Sequence, residues 1–137
     1  MNTVLISPRR WGKTSLVQKA CRLAQSDKLK IGYLDIFSCR SDRDFYDAFA
    51  SAVLKQTSSK VDEWLENIKL FLSRISPKIS MGADPMTDFS ISLEIDPKSN
   101  DSDEILQLPE KIAQKKGCNI VVCIDEFQQI AEFKDSK

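Results

Sequence analysis

The sequence predicts an α/β fold organised around a parallel sheet, and three observations carry that expectation. An apolar run, Val4-Leu5-Ile6, breaks at Ser7-Pro8 and gives way through a short loop to a helical apolar pattern. A second run, Ile120 to Ile124, holds no polar residue and ends in Asp125-Glu126. Unbroken apolar strands belong to sheets covered on both faces, as parallel sheets are. Between the two runs, segments of helical spacing alternate with strand-like ones, the pattern of βα units.

Each element follows from its local pattern. After the first strand, Leu16, Val17, Ala20, Cys21 and Ala24 recur at helical spacing and predict a helix burying that stripe. Lys28 to Ser38 reads as a second strand. Asp35 lies within it, at an end from which it can approach a site or act as a half-exposed strand acid. Ser41, followed by Asp44 at the third helical position, predicts a capped start for a helix burying Phe45, Ala48, Phe49, Ala52 and Val53. From Ser59 or Lys60 to about Ile75, Val61, Trp64, Leu65, Ile68, Phe71, Leu72 and Ile75 keep the helical period. A β-hairpin is expected near residues 78–96: Ile79 and Met81 precede a Gly82-Ala83-Asp84-Pro85 turn, and Phe89, Ile91, Leu93 and Ile95 then alternate with polar residues. Asp101 to Lys116 predicts a helix restarted at Pro109, and Gly117 leads into the final strand.

Two segments carry chemistry. The first is Ser7-Pro8-Arg9-Arg10-Trp11-Gly12-Lys13-Thr14-Ser15, between a strand and a helix. That context is the layout of a phosphate-binding P-loop. A helix N-terminus presents unpaired N–H groups and partial positive charge to phosphate oxygens. Gly12 admits close backbone approach, Lys13 reaches the β- and γ-phosphates, and the Thr14 hydroxyl can ligate Mg²⁺. The full pattern asks for glycine where this chain has Ser7. The second segment is the Ile120–Glu126 strand end, where open α/β sheets place their ligands. Asp125 is expected to support Mg²⁺ and Glu126 to orient or deprotonate a water. The bland readings are a strand-to-helix turn with a solvated lysine, and carboxylates favouring a helix start.

Composition adds limits. With 20 Lys/Arg against 20 Asp/Glu the formal charge is zero, which argues against strong nonspecific nucleic-acid binding. The first 30 residues are nevertheless basic, seven Lys/Arg against one acid, and the last 37 are acidic, eight against five. Four cysteines (Cys21, Cys39, Cys118, Cys123) show no zinc spacing, and there is no histidine. Cys21 and Cys123 fall at apolar positions and are expected as small core residues. No signal peptide and no apolar span of about 18 residues appears, so neither export nor membrane insertion is expected and a reduced cytoplasm is the default location.

With SPRRWGKTSL and VVCIDEFQQI both in place, the chain resembles the archaeal-type ATPase family, AAA-like P-loop proteins related to the signal-transduction NTPases. The likeness extends to the intervening YLDIF and LPEKIA and so spans most of the chain. It implies ATP with Mg²⁺ as the ligand and a P-loop three-layer fold whose five parallel strands run in the order 5-1-4-3-2. On that plan the chain supplies strands 1, 2 and 3, the sheet is incomplete at the C-terminus, and the hairpin near 78–96 is an insertion. The chain is thus expected to be the N-terminal part of one ATPase domain, poorly stable and nearly inactive by itself, with hydrolysis belonging to the parent protein. The second reading is a nucleotide-dependent regulatory switch with little turnover, acting on a protein partner or DNA through segments beyond Lys137. Oligomeric state is not set by either.

Overall fold

The computed structural model describes residues 2–8, 10–57, 80–81, 93–94 and 101–133. Among them the chain forms helix α1 (Lys13–Ala24), strand β1 (Leu29–Asp35), helix α2 (Asp42–Thr57), strands β2 (Ser80–Met81) and β3 (Leu93–Glu94), helices α3 (Asp101–Leu106) and α4 (Leu108–Lys116), and strand β4 (Asn119–Asp125). A 3₁₀ turn, Phe127–Glu132, follows. The fold is mixed α/β, with β1 and β4 paired in parallel from Leu29↔Asn119 to Asp35↔Asp125. β2 and β3 pair antiparallel, Ser80 with Glu94 and Met81 with Leu93, inside the range expected for a hairpin. The helix expected over 59–75 lies outside the described residues.

The elements start and stop for local reasons. At the head of α2, Ser41 and Asp44 cap reciprocally: the Asp44 N–H donates to Ser41 Oγ and the Ser41 N–H to Asp44 Oδ2, both at 3.2 Å. The helix expected across 101–116 is broken into α3 and α4 because Pro109, in the first turn of α4, cannot donate an N–H to the preceding turn. Gly117 ends α4, and the Cys118 N–H returns to Ala113 O at 3.2 Å. Between α1 and β1 the chain reverses on Ser26, whose N–H donates to Leu29 O while its hydroxyl accepts the Leu29 N–H.

The pleat sends alternate residues of a strand to opposite faces. One face carries Leu34 with Val122 and Ile124, and packs on α2, α3 and α4 through Phe49, Val53, Leu54, Ile105, Leu108 and Ile112, all buried. Gly32 lets α2 approach closely: a Cβ there would meet Ala52 O at 3.0 Å. The opposite face carries Tyr33, Asp35, Cys123 and Asp125, and α1 lies against it, with Cys21 Sγ 3.5 Å from Cys123 Sγ.

Three sequence expectations need correction. Val4, Leu5 and Ile6 form no strand: residues 2–8 join no ladder, and Val4 and Ile6 are 81% and 87% exposed. In the expected order the first strand lies between strands 4 and 5, and neither is present among the described residues to pair with it. The stripe on α1 is not buried either; Leu16 is 63% exposed, and Val17 and Cys21 are half-buried. The cause is width. Strands lie about 4.8 Å apart, so two strands alone are too narrow to cover a helix about 10 Å across, and among the described residues α1 lacks the flanking helices that α3 and α4 provide for α2 on the core face. For the same reason β4 is not covered on both faces, and Val121 is exposed. No helix of the described residues is long and apolar enough to cross a membrane.

Replacing Gly32 with Ala is expected to destabilise the chain by about 1–3 kcal/mol, since α2 must move off the sheet. A thermal melt of G32A checks this, and an unchanged midpoint would contradict the close approach.

Candidate functional site

The loop before α1 is shaped by two left-handed residues, Arg10 (φ 65°) and Gly12 (φ 73°). At Gly12 this conformation carries no steric penalty, and no atom lies within 4 Å of where its Cβ would stand. The turn delivers Lys13 and Thr14 into the first turn of α1. No side chain caps this helix, and no acidic residue sits in its first turn. The Lys13 ammonium folds back on the loop, donating to Ser7 O at 2.7 Å and Pro8 O at 3.4 Å.

Asp125 is the last residue of β4. Although 111 positions separate them, Thr14 Oγ1 donates to Asp125 Oδ2 at 2.7 Å. The Tyr33 phenol donates to the same oxygen at 2.6 Å, and the Glu126 N–H donates to Oδ1 at 3.0 Å. Together with the nearby Lys13 charge, these donors hold the Asp125 carboxyl below the usual carboxylate range, Thr14 contributing most and partial burial opposing them. Tyr33 is affected oppositely: burial first, then the Asp125 carboxylate, push its phenol up to about 12.

The remaining expected residues divide by position. Ser7 is half-buried and contributes its carbonyl; Pro8, Arg10, Trp11 and Ser15 are exposed around the loop. Arg9 lies outside the described residues. Glu126 takes a left-handed conformation (φ 56°) as the chain leaves β4, and its carboxylate accepts from the Gln128 amide. Asp35, opposite Asp125 in the ladder, is exposed and accepts the Phe37 N–H at 2.9 Å, closing a local turn. It therefore serves the end of β1. Among the described residues no group of three or more His, Cys, Asp or Glu converges as a metal cluster. A hydroxyl and one carboxylate beside a lysine fit Mg²⁺ brought in on phosphates, because that ion keeps several waters and takes few protein ligands.

Sequence reasoning missed Tyr33. Its contribution depends on the β1–β4 register, which no local motif encodes. Cys21 and Cys123, expected as core residues, are only half-buried where α1 meets β4, and burial pushes the Cys123 thiol up to about 11, with Cys21 adding to it. Compared with known proteins, the chain matches no family model, no curated protein and no solved structure.

In Thr14→Val the Asp125 carboxyl is expected to rise towards its ordinary value, because its leading donor is gone. A carboxyl depressed by folding stabilises the native state above its unfolded pKa of about 3.9, and that contribution is lost as pH falls through the folded value. The wild type should therefore lose more stability than T14V on acidification below about pH 4. Carbon-detected titration of the aspartate carboxyls, with melts across the same range, measures both; matching Asp125 titrations in the two proteins would count against the assigned hydrogen bond.

Proposed function

We propose that the chain binds ATP with Mg²⁺ at the junction of the α1 N-terminus and the end of β4, on a P-loop-type fold, and that the protein carrying it hydrolyses the nucleotide. The observation behind this reading is the 2.7 Å contact between Thr14 and Asp125, which joins the two chemistry-bearing segments at one end of the sheet. Its support is the fit of the residues to the ligand. The uncapped N-terminus of α1 offers N–H groups and partial positive charge to phosphate oxygens. Lys13 would exchange two neutral carbonyls for β- and γ-phosphate oxygens, the stronger, charge-assisted partners. Thr14 and Asp125 would hold the metal, which would supply positive charge to offset that of the phosphates. Glu126, next to Asp125, would take the proton of an attacking water. Ser7, Pro8, Arg9, Arg10, Trp11, Gly12 and Ser15 would complete the loop around the phosphates.

A second reading, a nucleotide-dependent switch with little turnover that acts on a protein partner or DNA, is favoured by one observation. The Glu126 carboxylate is already engaged by Gln128. Tight nucleotide binding with phosphate release at the detection limit is the outcome that selects it.

Lys13→Ala is expected to weaken nucleotide binding at least tenfold, about the value of a hydrogen bond to a charged group; unchanged affinity sinks the proposal. Glu126→Gln should leave binding intact and slow hydrolysis by roughly 10²–10⁴-fold. An equal loss of both would remove Glu126 from its role.

A further inference from the structure

Tyr33 belongs to neither chemistry-bearing segment, yet it makes the shortest of the three hydrogen bonds at Asp125, at 2.6 Å against 2.7 Å for Thr14 and 3.0 Å for the Glu126 N–H. We propose that Tyr33 is a positioning residue for Asp125: together with Thr14 it occupies Oδ2, so that Oδ1 is the oxygen turned to the Mg²⁺ of a bound nucleotide. The inference rests on the nucleotide reading above and deepens it.

The donor arithmetic is specific. A carboxylate oxygen presents two lone-pair sites. Oδ2 receives both Thr14 Oγ1 and Tyr33 Oη, while Oδ1 receives the Glu126 N–H alone. Among these contacts, the lone pair left over is on Oδ1. Without the phenol each oxygen keeps one free site, and the carboxylate no longer has a preferred oxygen for the metal or its water.

The register explains why a tyrosine serves here. Tyr33 pairs with Cys123 and Asp35 with Asp125, so Tyr33 and Asp125 share a face but stand two residues apart along the strands. That offset is about 6.6 Å, a span for a long, stiff side chain. The residue directly across from Asp125 does not compete, since Asp35 is an acceptor and is turned to its own backbone at Phe37 N–H. Phenol and aspartate meet in a half-buried position, where a hydrogen bond to a charged group is worth more than in water.

The experiment is a titration of the full chain with a fluorescent N-methylanthraniloyl ATP, first in EDTA and then with increasing MgCl₂. In Tyr33→Phe the affinity in EDTA should stay within about twofold of wild type, while the Mg²⁺ concentration for half-maximal effect rises roughly tenfold, as loss of one hydrogen bond to a charged group requires. A purely structural role for Tyr33 lowers the melting temperature and leaves the Mg²⁺ midpoint where it was. An unshifted midpoint, or an equal loss of affinity with and without metal, overturns the proposal. If Y33F does not melt cooperatively, Tyr33→Met, which also lacks the donor and fills irregular gaps, is read in the same way. Failure of the nucleotide reading looks different. The unmutated chain then binds no probe, or K13A binds it like wild type, and the role of Tyr33 falls with that reading before any Tyr33 variant is compared.

Discussion

The contact between the Thr14 hydroxyl and the Asp125 carboxylate ties together parts of the molecule that little else connects. α1 contributes no fully buried residue, and its other specific contacts with the sheet include the thiol pair Cys21–Cys123 and the hydrogen bond between Gln18 and the Tyr33 phenol. Burying a Leu, Ile or Phe side chain stabilises a fold by about 1.5–3 kcal/mol, and α2, α3 and α4 make many such burials on the core face. α1 makes few. Its position is therefore set by polar geometry at one end and by a half-buried strip at the other. Elements with few buried apolar contacts open at the low end of the local stability range. α1 is placed accurately but held lightly.

The two faces of the β1–β4 ladder consequently do different work. On one, Gly32 brings the α2 backbone against the sheet, and Leu34, Val122 and Ile124 close a dry core. On the other, the same pleat presents Tyr33, Cys123 and Asp125, each half-buried, beside the buried Ile31. The rigid face fixes the β1–β4 register, and the register fixes which phenol reaches which carboxylate. A ligand that engages α1 and Asp125 together would stabilise this lightly held face by mass action, since it binds the folded arrangement and not the open one. Such coupling needs no conformational device beyond the loose helix itself.

How much of this was legible in the sequence depended on whether the information was local. The Ser41–Asp44 cap, the break at Pro109 and the stop at Gly117 are encoded within a few residues, and they appear where the pattern placed them. The extent of β4 and the aspartate at its end followed from an unbroken apolar run. Burial on the Thr14 side did not. Leu16 and Val4 carry an apolar pattern whose fulfilment requires neighbours across the sheet, and periodicity reports only that a side chain is suited to burial, not that a partner is there. The site shows the same division: Lys13, Thr14 and Asp125 could be named from spacing, whereas Tyr33 could not, because the two-residue offset to Asp125 exists only after β1 and β4 have paired.

The arrangement at Thr14 also bears on how a metal would be received. A hydroxyl has one proton to donate and two lone pairs to offer. Here the proton is committed to Asp125 Oδ2, so the lone pairs face away from the carboxylate without any rotation of the side chain. Lys13 is parked on two neutral carbonyls of the loop, partners that a phosphate oxygen outcompetes by charge. Ligand entry would then move one flexible ammonium and leave the Thr14–Asp125–Tyr33 geometry as it stands. Ordering costs fall when the binding groups already occupy their final positions. A carboxylate kept anionic by its hydrogen-bond donors is ready for a cation without first releasing a proton. The hydrogen bonds that position the helix are in this way the same ones that keep the site charged.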